Sequence, residues 1–156
     1  MIDPSTPVKR ILLVEDSLND IRLTLDALAT YNLANEVVVT RDGAEALDYL
    51  YRRNLFALRA GDNPAVVLLD LKLPKVDGLE VLKTIKADPA LRTIPVVMLT
   101  SSQEERDVAA SYNHGVNGYV VKPVDFHEFV DALRELGLFW AVINQPPPGS
   151  AAKRKT

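Results

Sequence analysis

The sequence predicts an α/β fold, namely a doubly wound five-stranded parallel sheet with helices on both faces. Five short apolar runs alternate with segments whose apolar residues recur every three or four positions, and these runs cover residues 10–14, 36–40, 65–69, 94–99 and 118–121. Short strands that alternate with amphipathic helices are typical of a parallel sheet covered on both sides. Acidic residues directly follow the first and third runs, where such sheets bind ligands.

The strand order is indicated by the number of strands and by those acidic residues. Five strands suit the flavodoxin-like order 2-1-3-4-5, whose topological switch point lies between strands one and three. Glu15 and Asp16 follow strand one, and Asp70 follows strand three. The acidic residues and the expected switch point therefore coincide.

Each predicted helix carries apolar residues at helical spacing. Two pairs of capping residues, Ser102 with Glu105 and Asp125 with Glu128, indicate the starts of the fourth helix, at about residues 103–112, and of the fifth. The positions expected to face the core are Leu18, Ile21, Leu25 and Leu28 in the first helix, Ala46, Leu47 and Leu50 in the second, Val81, Leu82 and Ile85 in the third, and Phe126, Phe129, Val130, Leu133 and Leu136 in the fifth.

The composition is typical of a globular domain. The chain has 156 residues, of which 47% are apolar and 25% charged, and its formal net charge is -3. That charge gives no reason to expect binding to nucleic acid or to anionic membranes. The chain has no cysteine, which excludes disulfides, thiol catalysis and Cys-ligated zinc. Because neither a signal peptide nor a transmembrane-length apolar run is visible, we expect a cytoplasmic protein.

The predicted organisation is one ordered domain with two short extensions. Residues 1–9 form an N-terminal extension, residues 10–144 the domain, and residues 145–156 a Pro-rich flexible tail. Residues 52–64 form a connection longer than is usual in compact α/β domains, and we interpret them as a surface insertion.

Three carboxylates at one edge of the sheet predict a metal site. Glu15, Asp16 and Asp70 repel one another when all three are ionised, and a nearby cation removes that repulsion. Oxygen-only ligands favour a hard divalent cation, which in turn favours an oxygen-rich ligand such as phosphate. For a lone Asp before a loop, helix capping is the alternative interpretation.

Several motifs in sequence order resemble those of response-regulator receiver domains, such as the chemotaxis regulators. They are Val14-Glu-Asp16, Leu69-Asp-Leu-Lys-Leu-Pro74 with Asp77-Gly78, Leu99-Thr-Ser101 and Val121-Lys-Pro123. The motifs lie at the ends of predicted strands, and the resemblance extends over about residues 10–140. It implies a phosphorelay function.

The resemblance implies a phosphorylation site with bound Mg²⁺. Asp70 is then the phosphoacceptor, and Asp16 ligates the metal together with it. Glu15 acts through a water or at the rim, and the backbone carbonyl of Lys72 is a further ligand. A carboxylate attacks phosphorus only when the repulsion between the two anions is neutralised, which Mg²⁺ does by binding both.

Three further residues have roles implied by the resemblance. The hydroxyl of Thr100 bonds a phosphoryl oxygen on Asp70, and Lys122 pairs with the carboxylates before phosphorylation and with the phosphate afterwards. Tyr119 swings inward when Thr100 moves, which changes the surface made by the fourth helix, fifth strand and fifth helix. Taken singly, a turn-capping Thr, an unpaired surface Lys and a half-buried strand Tyr are the alternatives.

The resemblance also implies how the protein signals. No output domain follows the last helix, so we expect a stand-alone receiver that is phosphorylated by a histidine kinase and changes its association with other proteins. Phe139 and Trp140 extend an apolar stretch that predicts a homodimer interface, unless it folds back on its own core. With the 52–64 insertion, this pattern is similar to single-domain regulators paired with phytochrome histidine kinases, which dimerise through the fourth-helix to fifth-helix face.

Two other functions use parts of the same pattern. An Asp-nucleophile phosphatase has a similar carboxylate, hydroxyl, lysine and Mg²⁺ set, but usually also a cap domain and a second Asp at the position where this chain has Lys72. A degenerate receiver would act only as a dimerisation module. We expect neither, but a protein that catalyses only its own phosphorylation and dephosphorylation.

Overall fold

The computed structural model describes residues 10–30, 36–101 and 104–122, together with His127, Asp131 and Arg134. Strands and helices alternate along the described residues, and a single 3-10 turn at Asn54–Phe56 follows the second helix. The strands are β1 (Arg10–Val14), β2 (Glu36–Thr40), β3 (Val66–Leu69), β4 (Val96–Thr100) and β5 (Gly118–Val121), and the helices are α1 (Leu18–Thr30), α2 (Gly43–Tyr51), α3 (Gly78–Ala87) and α4 (Glu105–Asn113).

The five strands form one parallel sheet in the order β2-β1-β3-β4-β5. The predicted fold class and strand order are therefore confirmed. Val14 at the end of β1 lies opposite both Thr40 in β2 and Leu69 in β3, and Thr100 lies opposite Val121. Because the strands end in register, the residues that follow them meet at one edge of the sheet.

Two apolar cores cover the two faces of the sheet. Successive strand residues point to opposite faces, so a strand buried on both sides reads as a continuous apolar run. In β1, for example, Leu12 and Val14 belong to the core under α2 and α3, whereas Ile11 and Leu13 belong to the core under α1. This arrangement explains why the runs of the three central strands, β1, β3 and β4, lack the alternation of a half-exposed sheet. In the edge strand β5, buried and half-buried residues alternate.

Helix α1 departs from the expected pattern at its first residue. Leu18 is 64% exposed, whereas Ile21, Thr24 and Leu28 are buried. Because the buried face is centred between Thr24 and Leu28, Leu18 points about 100° away from it. The expectation that Leu18 faces the core is wrong, and a buried threonine occupies the position that the apolar pattern does not mark.

Two element boundaries differ from the predicted ones. Helix α4 begins at Glu105 with Glu104 as its N-cap, and the side chain of Glu104 makes no capping hydrogen bond. The helix therefore begins two residues later than the predicted start at about residue 103, and Ser102, the other residue of the predicted capping box, lies outside the described residues. Strand β4 begins at Val96, because Pro95 has no N–H group to donate to the sheet.

Several predictions lie outside the described residues. These concern the N-terminal extension, the apolar face of the fifth helix, the tail and the proposed interface residues Phe139 and Trp140. His127, Asp131 and Arg134, which fall within the expected fifth helix, are helical and exposed. Among the described residues, no helix combines the length and the apolarity needed to cross a membrane.

The 52–64 segment lies at the surface, and hydrogen bonds from arginine side chains fix its conformation. Arg52 ends α2 in the left-handed conformation with φ 55° and donates to the carbonyls of Arg59 and Gly61, both at 2.6 Å. Arg59 in turn donates to the carbonyls of Tyr49 at 2.9 Å and Asp62 at 3.0 Å. Guanidinium groups therefore satisfy main-chain acceptors that a regular element would pair internally.

Candidate functional site

Main-chain hydrogen bonds extend beyond the strands and position the residues of the site. The N–H of Asp70 donates to the carbonyl of Val14 at 3.0 Å, and the N–H of Lys122 donates to the carbonyl of Thr100 at 2.8 Å. Both bonds continue the parallel ladder by one residue past its end. The side chains of Asp70 and Lys122 therefore start from fixed points at the carboxyl edge of the sheet.

The three predicted carboxylates converge at this edge. Glu15, Asp16 and Asp70 each offer an oxygen within 4.8 Å of the other two. Two oxygens on opposite sides of one divalent cation lie about 4–5 Å apart, so the spacing fits a shared ion, and carboxylate oxygens are the ligands that hard cations prefer. The acidic cluster is therefore suited to a divalent metal.

Glu15 lies deeper than the resemblance implied. Its exposed fraction is 2%, and its Oε2 accepts a hydrogen bond from the N–H of Ser17 at 3.2 Å. Burial raises the pKa of the Glu15 carboxyl above its ordinary value of 4.5, and the nearby charge of Asp70 adds to this, although a hydrogen bond from Lys122 acts in the opposite direction. This burial does not fit a position at the rim, and action of Glu15 through a water stays a prediction.

The carboxylate of Asp70 is held by the main chain of the next residue. The N–H of Leu71 donates to Oδ1 of Asp70 at 2.8 Å, and the carbonyl of Leu71 accepts from the N–H of Gly78 at 2.9 Å. The first bond fixes the rotation of the carboxylate. The second ties the loop after β3 to the start of α3.

Lys122 is the cation of this site. Its side chain is 9% exposed, and its Nζ lies 2.5 Å from Oε1 of Glu15, 2.9 Å from Oδ2 of Asp20 and 3.6 Å from Oδ2 of Asp70. Burial by itself would lower the pKa of Lys122, but hydrogen bonds to Asp20 and Glu15 and the charge of Asp70 outweigh it and leave the pKa raised. The expected pairing with carboxylates is present, and its shortest contacts are to Glu15 and Asp20 rather than to Asp70.

Two residues of the site were missed from the sequence. Asp20 lies in the first turn of α1, and the Arg41 side chain, just past β2, donates to the carbonyl of Asp16 at 2.7 Å. An acidic residue four positions after Asp16, at the N-terminus of a helix that starts from the carboxyl edge, was a usable signal. Arg41 directly follows a predicted strand, but a charged residue at that position is too common to single out.

The remaining predicted residues lie where the sequence placed them along the chain. Thr100 is fully buried at the end of β4, Tyr119 is half-buried in β5 against the α2–α3 core, and the Lys72 side chain is exposed on the loop after β3. Their functional roles remain predictions.

Comparison with known proteins identifies the family. Residues 11–134 match the family described as the response regulator receiver domain. The chain belongs to this family. The matched segment contains β2 to β5, all of β1 except Arg10, and every predicted site residue apart from Phe139 and Trp140.

This receiver is similar to several response regulators, and the name of the first one refers to a bacteriophytochrome. It is 61% identical to the bacteriophytochrome response regulator RtBRR, with a TM-score of 0.80 over 95% of this chain and 89% of that one. It is 42% identical over 140 residues to the response regulator Rcp1 of Synechocystis sp., covering 90% of this chain and 94% of Rcp1. The Mn²⁺-bound structure of Rcp1 gives 40% identity and a TM-score of 0.71, with 89% of this chain and 99% of that one covered.

A phosphorylated relative has also been solved. The cyanobacterial phytochrome response regulator RcpA is 42% identical, with a TM-score of 0.72 over 89% of this receiver and 98% of that chain. The match therefore spans nearly the whole length of each of these relatives.

Proposed function

We propose that this receiver accepts a phosphoryl group on Asp70 from a histidine kinase and signals by changing its association with other proteins. The observation that carries the proposal is that two other carboxylates, Glu15 and Asp16, and the largely buried Lys122 converge on Asp70, the residue that follows β3. Such a cluster has little structural value, since buried like charges destabilise a fold unless a ligand or counter-ion compensates them.

The proposed transfer needs a nucleophile of fixed orientation. One oxygen of Asp70 forms a bond to phosphorus while the bond from phosphorus to the donor imidazole nitrogen breaks, and the imidazole keeps the electron pair. The hydrogen bond from Leu71 to Oδ1 orients the carboxylate before the donor arrives. Hydrolysis of the acyl phosphate then returns the free carboxylate, so the protein turns over no external metabolite.

Asp16 and Asp70 would hold Mg²⁺ directly, with the carbonyl of Lys72 as a further ligand and Glu15 acting behind them. A bound Mg²⁺ supplies positive charge between the acceptor and the incoming phosphoryl oxygens. Lys122, already 3.6 Å from Oδ2 of Asp70, adds a second positive charge. Both charges lower the repulsion between two anions that the step must bring together.

We propose that Thr100 and Tyr119 carry the change from the site to the surface. Thr100 ends the strand whose last carbonyl accepts from Lys122, so its hydroxyl lies at the same edge as the acceptor. Tyr119 is half-buried on the neighbouring strand, opposite Met98. A new hydrogen bond from Thr100 to the phosphoryl group would bias the position of Tyr119.

The partner we propose is a phytochrome-type histidine kinase in the cytoplasm. The similarity to RtBRR and RcpA supports it, because the names of both describe phytochrome response regulators and both match over nearly their full length. We also propose a homodimer that involves Phe139 and Trp140, and no direct role in binding nucleic acid or membranes. The pairing and the dimer rest on similarity and sequence, and the acceptor chemistry rests on the geometry of the site.

A small phosphodonor tests the acceptor without the kinase. Incubation with acetyl phosphate and Mg²⁺, followed by intact-mass analysis, is expected to add one phosphoryl group to the wild type and none to Asp70→Asn. Asp62→Asn makes the same change at an exposed acidic residue of the insertion and is expected to behave as the wild type. Phosphorylation of Asp70→Asn to the wild-type level would refute the assignment, and repeated turnover of a phosphate ester would favour a phosphatase.

The dimer has a separate test. Size-exclusion chromatography with light scattering, with and without beryllofluoride and Mg²⁺, is expected to show twice the monomer mass in at least one condition. Trp140→Ala should lower that mass without loss of phosphorylation. A monomer in both conditions would contradict the proposed interface and leave the acceptor assignment intact.

A further inference from the structure

Asp20 is a fourth carboxylate at the site and differs from the other three in position. It lies in the first turn of α1, and its side chain is 34% exposed, compared with 3% for Glu15 and 9% for Asp70. Its Oδ2 accepts a hydrogen bond from Nζ of Lys122 at 2.9 Å. Asp20 does not belong to the group of carboxylates whose oxygens lie within 4.8 Å of one another.

The ammonium of Lys122 therefore divides its contacts between two kinds of carboxylate. An ammonium group has three N–H donors. Here Glu15 and Asp20 lie at hydrogen-bond distance, and Asp70 lies at 3.6 Å, beyond it. A cation bound in the cluster would compete with Lys122 for Glu15 and Asp70. It would not compete for Asp20, which lies outside the cluster.

A bound metal and Lys122 would compete for the same carboxylates unless another residue also pairs with Lys122. A divalent cation among Glu15, Asp16 and Asp70 attracts the same carboxylates as Lys122 and repels its ammonium, and both effects are strong where side chains are buried. A lysine with no partner outside the cluster would hold Glu15 and Asp70 against the metal. A partner outside the cluster removes part of that competition.

We propose that Asp20 is the positioning residue that retains the Lys122 ammonium beside the site, so that Glu15, Asp16 and Asp70 remain available to a divalent cation. The inference rests on the proposed function, because it assumes that the acidic cluster binds a metal. In this arrangement Lys122 stays charged and near Asp70 while the metal is bound. It is then in place for a phosphoryl group attached to Asp70.

Substitution of Asp20 tests the inference through metal affinity rather than through phosphorylation. Among the described residues, Asp20→Asn leaves Lys122 only Glu15 and Asp70 as charged partners. The dissociation constant for Mg²⁺ measured by calorimetry is therefore expected to rise about three- to tenfold. Asp26→Asn makes the same charge change farther along α1 and is expected to stay within about twofold of the wild type. Urea unfolding of each variant confirms that it is folded.

A double-mutant cycle separates a positioning role from simple attraction. If Asp20 acts through Lys122, Asp20→Asn should change the Mg²⁺ affinity far less in a Lys122→Met background than in the wild type. If Asp20 only attracts the cation at long range, the two losses are equal, and the inference is wrong. An Asp20→Asn variant that binds Mg²⁺ as tightly as Asp26→Asn also overturns it.

Failure of the proposed function gives a different result. In that case the wild type itself shows no Mg²⁺ binding, and Asp16→Asn changes nothing, so both the function and the role of Asp20 are refuted. Wild-type binding that is lost in Asp16→Asn and unaffected by Asp20→Asn refutes the role of Asp20 alone.

Discussion

Gly78, the first residue of α3, lies directly against the main-chain carbonyl of Asp70. A Cβ atom on residue 78 would stand 2.1 Å from that oxygen and 2.8 Å from the Cα of Leu71. The N–H of Gly78 also donates to the carbonyl of Leu71. The start of α3 therefore packs against the main chain of Asp70, the proposed phosphoacceptor. Glycine allows this close approach because it has no side chain.

Substitution Gly78→Ala is expected to destabilise the fold by about 1–3 kcal/mol, because main-chain atoms rather than a flexible side chain occupy the space of the new methyl group. Because the main chain must move to make room for the methyl group, the substitution should also displace the carboxylate of Asp70 and weaken Mg²⁺ binding. Urea unfolding and calorimetry measure the two effects. Glu80→Ala, an exposed change in the same turn of α3, is expected to cost less than about 1 kcal/mol, and an equal cost for both variants would contradict this explanation.

The strands and the residues that follow them were predictable because local signals and the fold agree there. Continuous apolar runs identify buried parallel strands, and a carboxylate directly after a strand must lie at the carboxyl edge, which is how Asp70 was found. Register then brings Glu15 and Lys122 together although 107 positions separate them. No pattern along the chain specifies that contact in atomic detail.

The outcomes for Leu18 and Asp20 share a physical cause, which is that tertiary contacts decide where a side chain lies. The apolar spacing of α1 includes Leu18, but the way the helix packs on the sheet buries Thr24 instead. Asp20 has the local features of a helix-start acid, and only the folded chain shows that its carboxylate reaches Lys122. The start of α4 was misplaced because a Ser and a Glu at capping spacing are common outside caps.

The raised pKa of Glu15 predicts a pH-dependent contribution to stability. Burial, and then the charge of Asp70, place this pKa above the ordinary 4.5, so the folded chain holds the proton more tightly than the unfolded chain. Between the pKa of Glu15 in the unfolded chain and its higher pKa in the folded chain, the contribution of Glu15 to the free energy of unfolding is lost as the pH rises. We expect the unfolding free energy of Glu15→Gln, measured relative to the wild type in EDTA, to increase as the pH rises through this window and then to level off.

Asp70→Asn serves as the control for this prediction. It removes the charge of Asp70, which is one of the causes that raise the pKa of Glu15. In an Asp70→Asn background, the relative stability of Glu15→Gln should therefore still increase with pH, but over a narrower pH range. A relative stability of Glu15→Gln that falls as the pH rises would show that the pKa is lowered instead. The apparent Mg²⁺ affinity of the wild type should increase across the same window, because the metal and the proton compete for the carboxylate.

Arg59 is expected to stabilise the 52–64 insertion. Its guanidinium lies 4.2 Å from the ring centroid of Tyr49 and donates to the carbonyls of Tyr49 and Asp62. Arg59→Ala removes both hydrogen bonds and the stacking, and we expect it to lower the unfolding free energy by about 1–3 kcal/mol. Arg53→Ala is the matched control, since Arg53 is exposed and makes its contacts at the surface, an ion pair with Asp48 at 3.3 Å and a cation–π contact 5.0 Å from the ring centroid of Tyr51. It should cost about 1 kcal/mol or less in urea unfolding, and a larger loss than for Arg59→Ala would refute the assignment.

Lys86 connects the end of α3 to the starts of β4 and β5. Its Nζ donates to the carbonyls of Arg92 at 3.1 Å and Ile94 at 2.8 Å and to Oδ1 of Asn117 at 3.0 Å. The same Oδ1 accepts from the N–H of Val96 at 2.8 Å, so one lysine and one asparagine fix how the two strands begin. Lys86→Met keeps the apolar stem but removes three donors, and we expect the unfolding free energy to fall by about 1–3 kcal/mol.

Lys83→Met, one turn earlier on α3, separates the effect of these hydrogen bonds from the effect of losing a charge. Lys83 makes an exposed ion pair with Glu80 at 3.5 Å, and its loss should cost about 0.5 kcal/mol or less. Because both variants lose one positive charge from the same helix, the difference between them in urea unfolding reports the three acceptors of Lys86. Equal losses would mean that water satisfies those acceptors as well as the ammonium does, and that the strand starts are held by the apolar cores alone.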